Sequence, residues 1–95
     1  LRVDGGASAM DLMLQIQADQ LGVPVTRATH HETTALGAAY LAGLAEGVWG
    51  SLDEVEALWS SNLRVEPSAD RTAADAAHAL WRRGLERARG WVEGE

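Results

Sequence analysis

Residues 1–22 read Leu1-Arg2-Val3-Asp4-Gly5-Gly6-Ala7-Ser8-Ala9-Met10-Asp11-Leu12-Met13-Leu14-Gln15-Ile16-Gln17-Ala18-Asp19-Gln20-Leu21-Gly22. The first four alternate apolar and polar side chains and stop at a glycine pair, the pattern of a short strand ended by a turn. Ser8 and Asp11 then stand at capping-box spacing. Ala9, Met10, Leu12, Met13, Ile16 and Leu21 recur at helical spacing, so a helix is expected over about residues 9–21. Gly22 sits where a helix C-cap glycine belongs, and Pro24 prevents resumption. A strand that runs through two glycines into a capped helix is a building block of α/β folds.

Outward from this unit, Val23 to Thr26 is a short β-branched run and the expected second strand. After the polar stretch Arg27 to Glu32, Thr33 or Thr34 caps a second helix reaching about Glu46 and ended by Gly47. Ala35, Gly37, Ala38, Ala39, Ala42 and Gly43 coat that helix with small side chains. Interior glycine costs about 1 kcal/mol against alanine, so the pair implies close approach by another element. Ser51 and Glu54 form a second capping box opening a short helix to about Ser60. A linker with Pro67 leads to Thr72 and Asp75, a third capping pair. There Ala76, Ala77, Leu80, Trp81, Leu85, Ala88 and Val92 make one apolar stripe. Two strands cannot form an independent sheet. The chain is therefore expected to borrow strands and to be a piece of a longer protein, an expectation strengthened by its opening on a strand without a methionine.

Composition bounds the chemistry. The chain has 95 residues and 10.2 kDa, with eight basic and fourteen acidic side chains, so 8 − 14 = −6 with histidine neutral. That balance argues against a binder of nucleic-acid backbone. Cysteine is absent, which excludes disulfides, thiolate nucleophiles and Cys-based zinc sites. All eight basic residues are arginine, which excludes lysine Schiff bases and the P-loop lysine. No apolar run is long enough to span a membrane, and Leu1 to Gly6 lack the flanks of a signal peptide.

The Asp4–Met10 loop is the main candidate site. Two glycines at a strand end let a ligand approach the backbone, with helix amides behind them, an arrangement that favours phosphate. The same glycines also fit an ordinary strand-to-helix turn. Asp4 either contacts a ligand or ties down the turn. His30, His31 and Glu32 lack a second ligand pair, and His78 has no partner close in sequence, so all read as solvated rather than metal-binding. Asp53, Glu54 and Glu56 read as a solvated helix start. Trp49, Trp59, Trp81 and Trp91 read as core anchors. Arg82, Arg83, Arg87 and Arg89, interleaved with Glu86, Glu93 and Glu95, read as a mixed solvated face.

VDGGASAMDLMLQIQADQLGVPV (3–25) followed by ETTALGAAYLAGLAEGVW (32–49), with Glu66-Pro67 and the terminal WRRGLERARGW (81–91), resembles the C-terminal domain of the FGGY carbohydrate kinases. The ETTALGAAYLAG wording resembles their glycerol-kinase branch in particular. The resemblance covers nearly the whole chain. It implies an α/β, ribonuclease H-like (actin-like ATPase) fold, with residues 1–95 as the C-terminal part of the second kinase domain and the N-terminal substrate domain outside this chain. The implied activity of the intact parent is transfer of phosphate from ATP, with Mg2+, to glycerol, giving sn-glycerol 3-phosphate. Glycerol would be held by the missing part, in a cytoplasmic homo-oligomer without nucleic-acid or membrane partners. The resemblance carries nucleotide binding to Gly5, Gly6 and Met10, and it places asparagine at the Met10 position. It assigns the catalytic base and the substrate-binding residues elsewhere, so this chain is expected to hold no catalytic residue, to bind no metal and to be inactive alone. A family member acting on another polyol or ketose, or a degenerate binding or assembly module, remains the alternative.

Overall fold

The first helix has a glycine stop at its C-terminal end, and its apolar side chains are split between faces: Leu14 and Ala18 are buried, whereas Leu12, Met13, Ile16 and Leu21, the stripe expected from sequence, are exposed. In the computed structural model, which describes residues 1–92, α1 spans Asp11–Leu21. Gly22 ends it in the left-handed conformation, φ 69°, with its amide donating to the Ala18 carbonyl at 2.8 Å. Only glycine adopts such a cap without strain. Leu14 and Ala18 are the buried face of α1, and they pack on Val25 of the sheet with Val3, Leu63 and Val65 around them.

The sheet has three strands in the order β1 (Arg2–Val3), β2 (Val25–Ala28) and β3 (Ser61–Val65). β1 lies parallel to β2, with Arg2 opposite Thr26 and Val3 opposite Arg27. β3 lies antiparallel to β2, with Val25 opposite Val65 and Arg27 opposite Leu63. The third strand corrects the linker expected from sequence. β2 also begins two residues later than expected and extends to Ala28. The register slips between Arg27 and Ala28: Ala28 faces Ser61, leaving Asn62 as the extra residue of a bulge. Alternation therefore puts Val3, Val25, Arg27, Leu63 and Val65 on the face covered by α1. Arg2 and Ala28 belong to the other face, where the Arg2 guanidinium lies 4.3 Å from the Trp59 ring centre.

The remaining helices are α2 (Thr33–Ala45), α3 (Leu52–Glu56) and α4 (Thr72–Ala88). The cap of α3 is as expected, Ser51 Oγ accepting from the Glu54 amide at 3.3 Å, but the helix stops well short of Ser60. At α2 no threonine caps; Glu32 holds the N-cap position. At α4 the cap is replaced by Asp70, whose carboxylate accepts from the Thr72 amide at 2.9 Å and from its hydroxyl at 2.6 Å. These bonds, the hydroxyl one first, hold the Asp70 carboxyl below its ordinary pKa.

Packing is thin outside the α1 layer. The Cα radius of gyration is 19.0 Å, against roughly 12 Å for a compact chain of this size. Helix α2 buries no residue; Gly43 meets the Trp49 ring, which also meets Tyr40 edge-on at 5.3 Å. Helix α4 buries only Ala74 and leaves Leu80 and Trp81 66% and 60% exposed. Of the four tryptophans, Trp49 and Trp59 are half-buried anchors, whereas Trp81 and Trp91 are exposed in this chain. No helix among the described residues is long and apolar enough to cross a membrane.

Candidate functional site

The loops following the two parallel strands, Asp4–Met10 and Thr29–Glu32, emerge at the same end of the sheet, where open α/β sheets place their ligand clefts. The first begins with a forced backbone turn. Gly5 has φ 86°, which an L side chain rarely adopts. A Cβ added at Gly5 or Gly6 would meet no atom within 4 Å, so the space over both is open.

Between the glycines and α1 the structure inserts a 3-10 turn, Gly6–Ala9, so α1 begins at Asp11 and not at about residue 9 as expected from sequence. This changes the roles of the capping pair. Ser8 is buried and its Oγ donates to the Gly5 carbonyl at 2.6 Å, while its amide donates to the same oxygen at 3.1 Å. It ties the turn instead of capping α1. Met10 stands at the N-cap position with no side-chain bond, half exposed and with its amide on the Ala7 carbonyl at 3.1 Å. Asp11 occupies the first turn of α1 and pairs with Arg27 at 2.7 Å. The positive end of the helix dipole is thus already met by a carboxylate of the chain itself.

Asp4 does not tie the turn: its carboxylate is exposed and takes no hydrogen bond from the described residues. A hollow of about 300 Å3 lies beside the loop, lined by Leu1, Val3, Asp4, Ala7, Ser8 and Met13 among others. Gly5, Gly6 and Met10 fall within six residues of chain on one side of the molecule.

Arg27 is the loop residue that sequence reading missed. From β2 its Nη1 donates to Asp11 Oδ1 at 2.7 Å, to the Ser8 carbonyl at 3.1 Å and to the Ala9 carbonyl at 3.4 Å. Its Nε donates to Asn62 Oδ1 at 2.9 Å. The available signal was its place two residues after Val25, which puts both on one strand face.

The histidines behave as solvated groups or better. His30 and His31 are exposed, and His78 stacks on Trp81 one turn away, ring centres 5.8 Å apart and 14° from parallel. Among the described residues no three His, Asp or Glu side chains gather as a metal site. Arg89 pairs with Glu86 at 3.1 Å on the exposed face of α4. Glu93 and Glu95 lie outside the described residues.

A strand, a glycine turn, a 3-10 turn and a helix stand at the carboxyl end of a parallel pair, and comparison shows what the chain is similar to. Residues 1–46 match the family model described as the FGGY family of carbohydrate kinases, C-terminal domain. Over those residues, just under half of its length, the chain is similar to that family, and it has the α/β architecture of the sugar-kinase, actin-like ATPase fold. Curated relatives that it resembles along nearly its whole length are glycerol kinases. It is 59% identical over 97% of its length to a glycerol kinase of Aromatoleum aromaticum, covering 18% of that protein. It is 53% identical over 98% of its length to one of Pseudothermotoga lettingae, covering 19%. A crystal structure of Plasmodium falciparum glycerol kinase with ADP superposes with a TM-score of 0.76 at 31% identity, covering 94% of this chain and 18% of that one. The chain thus spans under a fifth of the length of these relatives.

Proposed function

We propose that this chain is the nucleotide-side, C-terminal part of the second domain of an ATP-dependent glycerol kinase. The reading rests on one observation. A glycine loop with open space over Gly5 and Gly6 lies in a chain 59% identical, along nearly its whole length, to a glycerol kinase. In this reading Gly5 and Gly6 let the nucleotide approach the backbone, and Met10 packs its thioether against the base. Asp11 is paired with Arg27, which leaves Asp4 as the unpaired carboxylate beside the loop among the described residues.

The residues fit the nucleoside part of ATP and not its metal. The loop offers no pre-gathered carboxylates for Mg2+, so the ion would be held with the phosphates by residues outside this chain. The same reading assigns the catalytic base and the glycerol contacts to other parts of the protein. What this chain contributes is binding and orientation of the donor nucleotide, with no catalytic residue of its own. A cytoplasmic, homo-oligomeric enzyme is the setting this reading carries.

The test is ADP release by the intact protein carrying this chain, with glycerol, xylulose, ribulose or no acceptor. Strong dependence on glycerol establishes the reaction. Dependence on another acceptor keeps the family and replaces the substrate. No turnover with any acceptor makes the chain part of a non-catalytic module.

A further inference from the structure

We infer that Arg27 is the positioning residue of the nucleotide loop, holding Met10 at the height where it can meet a base. The inference rests on the reading of Asp4–Met10 as a nucleotide contact. Its ground is geometric. The acceptors of Nη1 are the carbonyls of Ser8 and Ala9 and the carboxylate of Asp11, so they bracket Met10 on both sides. The Arg27 side chain is only 15% exposed, although Asp11 is open to solvent. Nothing else in the described chain grips that segment by side chain from across the sheet.

The grip is itself aimed. Nε of Arg27 is held by Asn62, the extra residue of the β3 bulge. Bulges re-aim side chains beside functional sites. Here the bulge turns the amide of Asn62 onto the guanidinium, which fixes the direction in which the planar fork points. A lysine could neutralise Asp11 but could not hold Asn62 and the carbonyls in one plane. Freed of Arg27, the loop would sample more conformations, and a ligand would have to order it on binding.

The experiment uses the intact protein with Arg27→Gln, Arg27→Lys and Asn62→Ala, beside Gly6→Val as a direct block of the loop and Arg71→Ala as a destabilising control at the far end of α1. The KM for ATP in Arg27→Gln should rise about tenfold, the scale of losing a charge-assisted hydrogen bond. The KM for the acceptor alcohol should stay within about twofold. Arg27→Lys should recover part of the loss, and Asn62→Ala should follow Arg27→Gln in direction. Amide exchange at Ala9–Leu12 should quicken in Arg27→Gln without nucleotide. Arg71→Ala should lower Tm without changing the KM for ATP. Should Gly6→Val raise the KM for ATP while Arg27→Gln and Asn62→Ala lower only Tm, the positioning role is overturned and the site survives. Should Gly6→Val leave ATP binding untouched, the loop reading falls and this inference with it. If Arg27→Gln fails to fold, Arg27→Lys and the exposed Asn62→Ala decide the matter by the same readouts.

Discussion

Arg71, at the threshold of α4, donates from Nη1 to the main-chain carbonyl of Asp19 at 2.9 Å, in the last turn of α1. Its Nη2 reaches the Gln20 carbonyl at 3.3 Å and the Asp75 carboxylate at 3.4 Å. One guanidinium thereby satisfies carbonyls that a helix end leaves unpaired and joins two helices far apart in sequence. Arg71→Ala should cost about 1 kcal/mol, a charged hydrogen bond discounted for its 41% exposed side chain. Denaturant unfolding of the intact protein checks this, with faster proteolysis around Pro67 as the local sign.

Gly22 shares that joint. Its φ of 69° is left-handed, and a Cβ there would come within 2.7 Å of Arg71 Nη1. Gly22→Ala should therefore destabilise by roughly 1–2 kcal/mol from backbone strain alone, and more if the arginine is displaced. A double variant with Arg71→Ala should cost less than the sum of the two, read by thermal unfolding.

Asp19 faces the same joint from its side chain. Its carboxylate accepts from the Ser68 amide at 2.7 Å and from Gln15 Nε2 at 2.9 Å, and these bonds, Ser68 first, hold its pKa below the ordinary value. Asp70 is lowered in the same direction by Thr72. A carboxylate lowered on folding binds fewer protons when native, so it stabilises above its unfolded pKa. That contribution fades as pH falls below about 4, the unfolded aspartate value. Tm measured between pH 6 and pH 3 should drop less in Asp19→Asn than in the native protein. An equal drop would remove Asp19 from the account.

Met10→Asn tests the nucleotide reading directly. Methionine offers a base no hydrogen bond, whereas an amide offers both donor and acceptor. Restoring such a bond should lower the KM for ATP up to about tenfold, for roughly 0.5–1.5 kcal/mol. Steady-state kinetics at saturating acceptor would show it, and an unchanged KM would move the base away from Met10.

Gly43→Ala separates helix propensity from packing. Alanine favours a helix interior by about 1 kcal/mol, yet its Cβ would overlap the Trp49 ring. Overpacking of this kind costs about 1–3 kcal/mol, so the variant should be destabilised. The Trp49 emission should shift as the ring leaves Tyr40.

Much of the fold was legible because its signals were local. Gly22, Gly47 and the Ser51–Glu54 cap mark their helix ends in sequence as they do in space. β3 was not legible, since Ser61-Asn62-Leu63-Arg64-Val65 has only Leu63 and Val65 to announce alternation and a bulge interrupts even that. Ser8 misled for a related reason. Its spacing to Asp11 imitates a capping box, but the 3-10 turn rotates its hydroxyl back onto Gly5. The glycine loop itself was readable; its anchor was not. An arginine in a polar stretch reads as solvent-facing until the strand register puts it on the face of Val25.

The bulge at Asn62 also sets an order of events. Ribosomes release the glycine loop and α1 well before β3, and domains fold from the N-terminus as they emerge. A helix as short as α1 is marginal alone, and Val25 has no Val65 to pair with and Arg27 has no Asn62 to aim it until β3 arrives. The glycine loop is thus finished by the strand made late, and a nascent chain halted before Ser61 would carry the glycines without the grip that sets them.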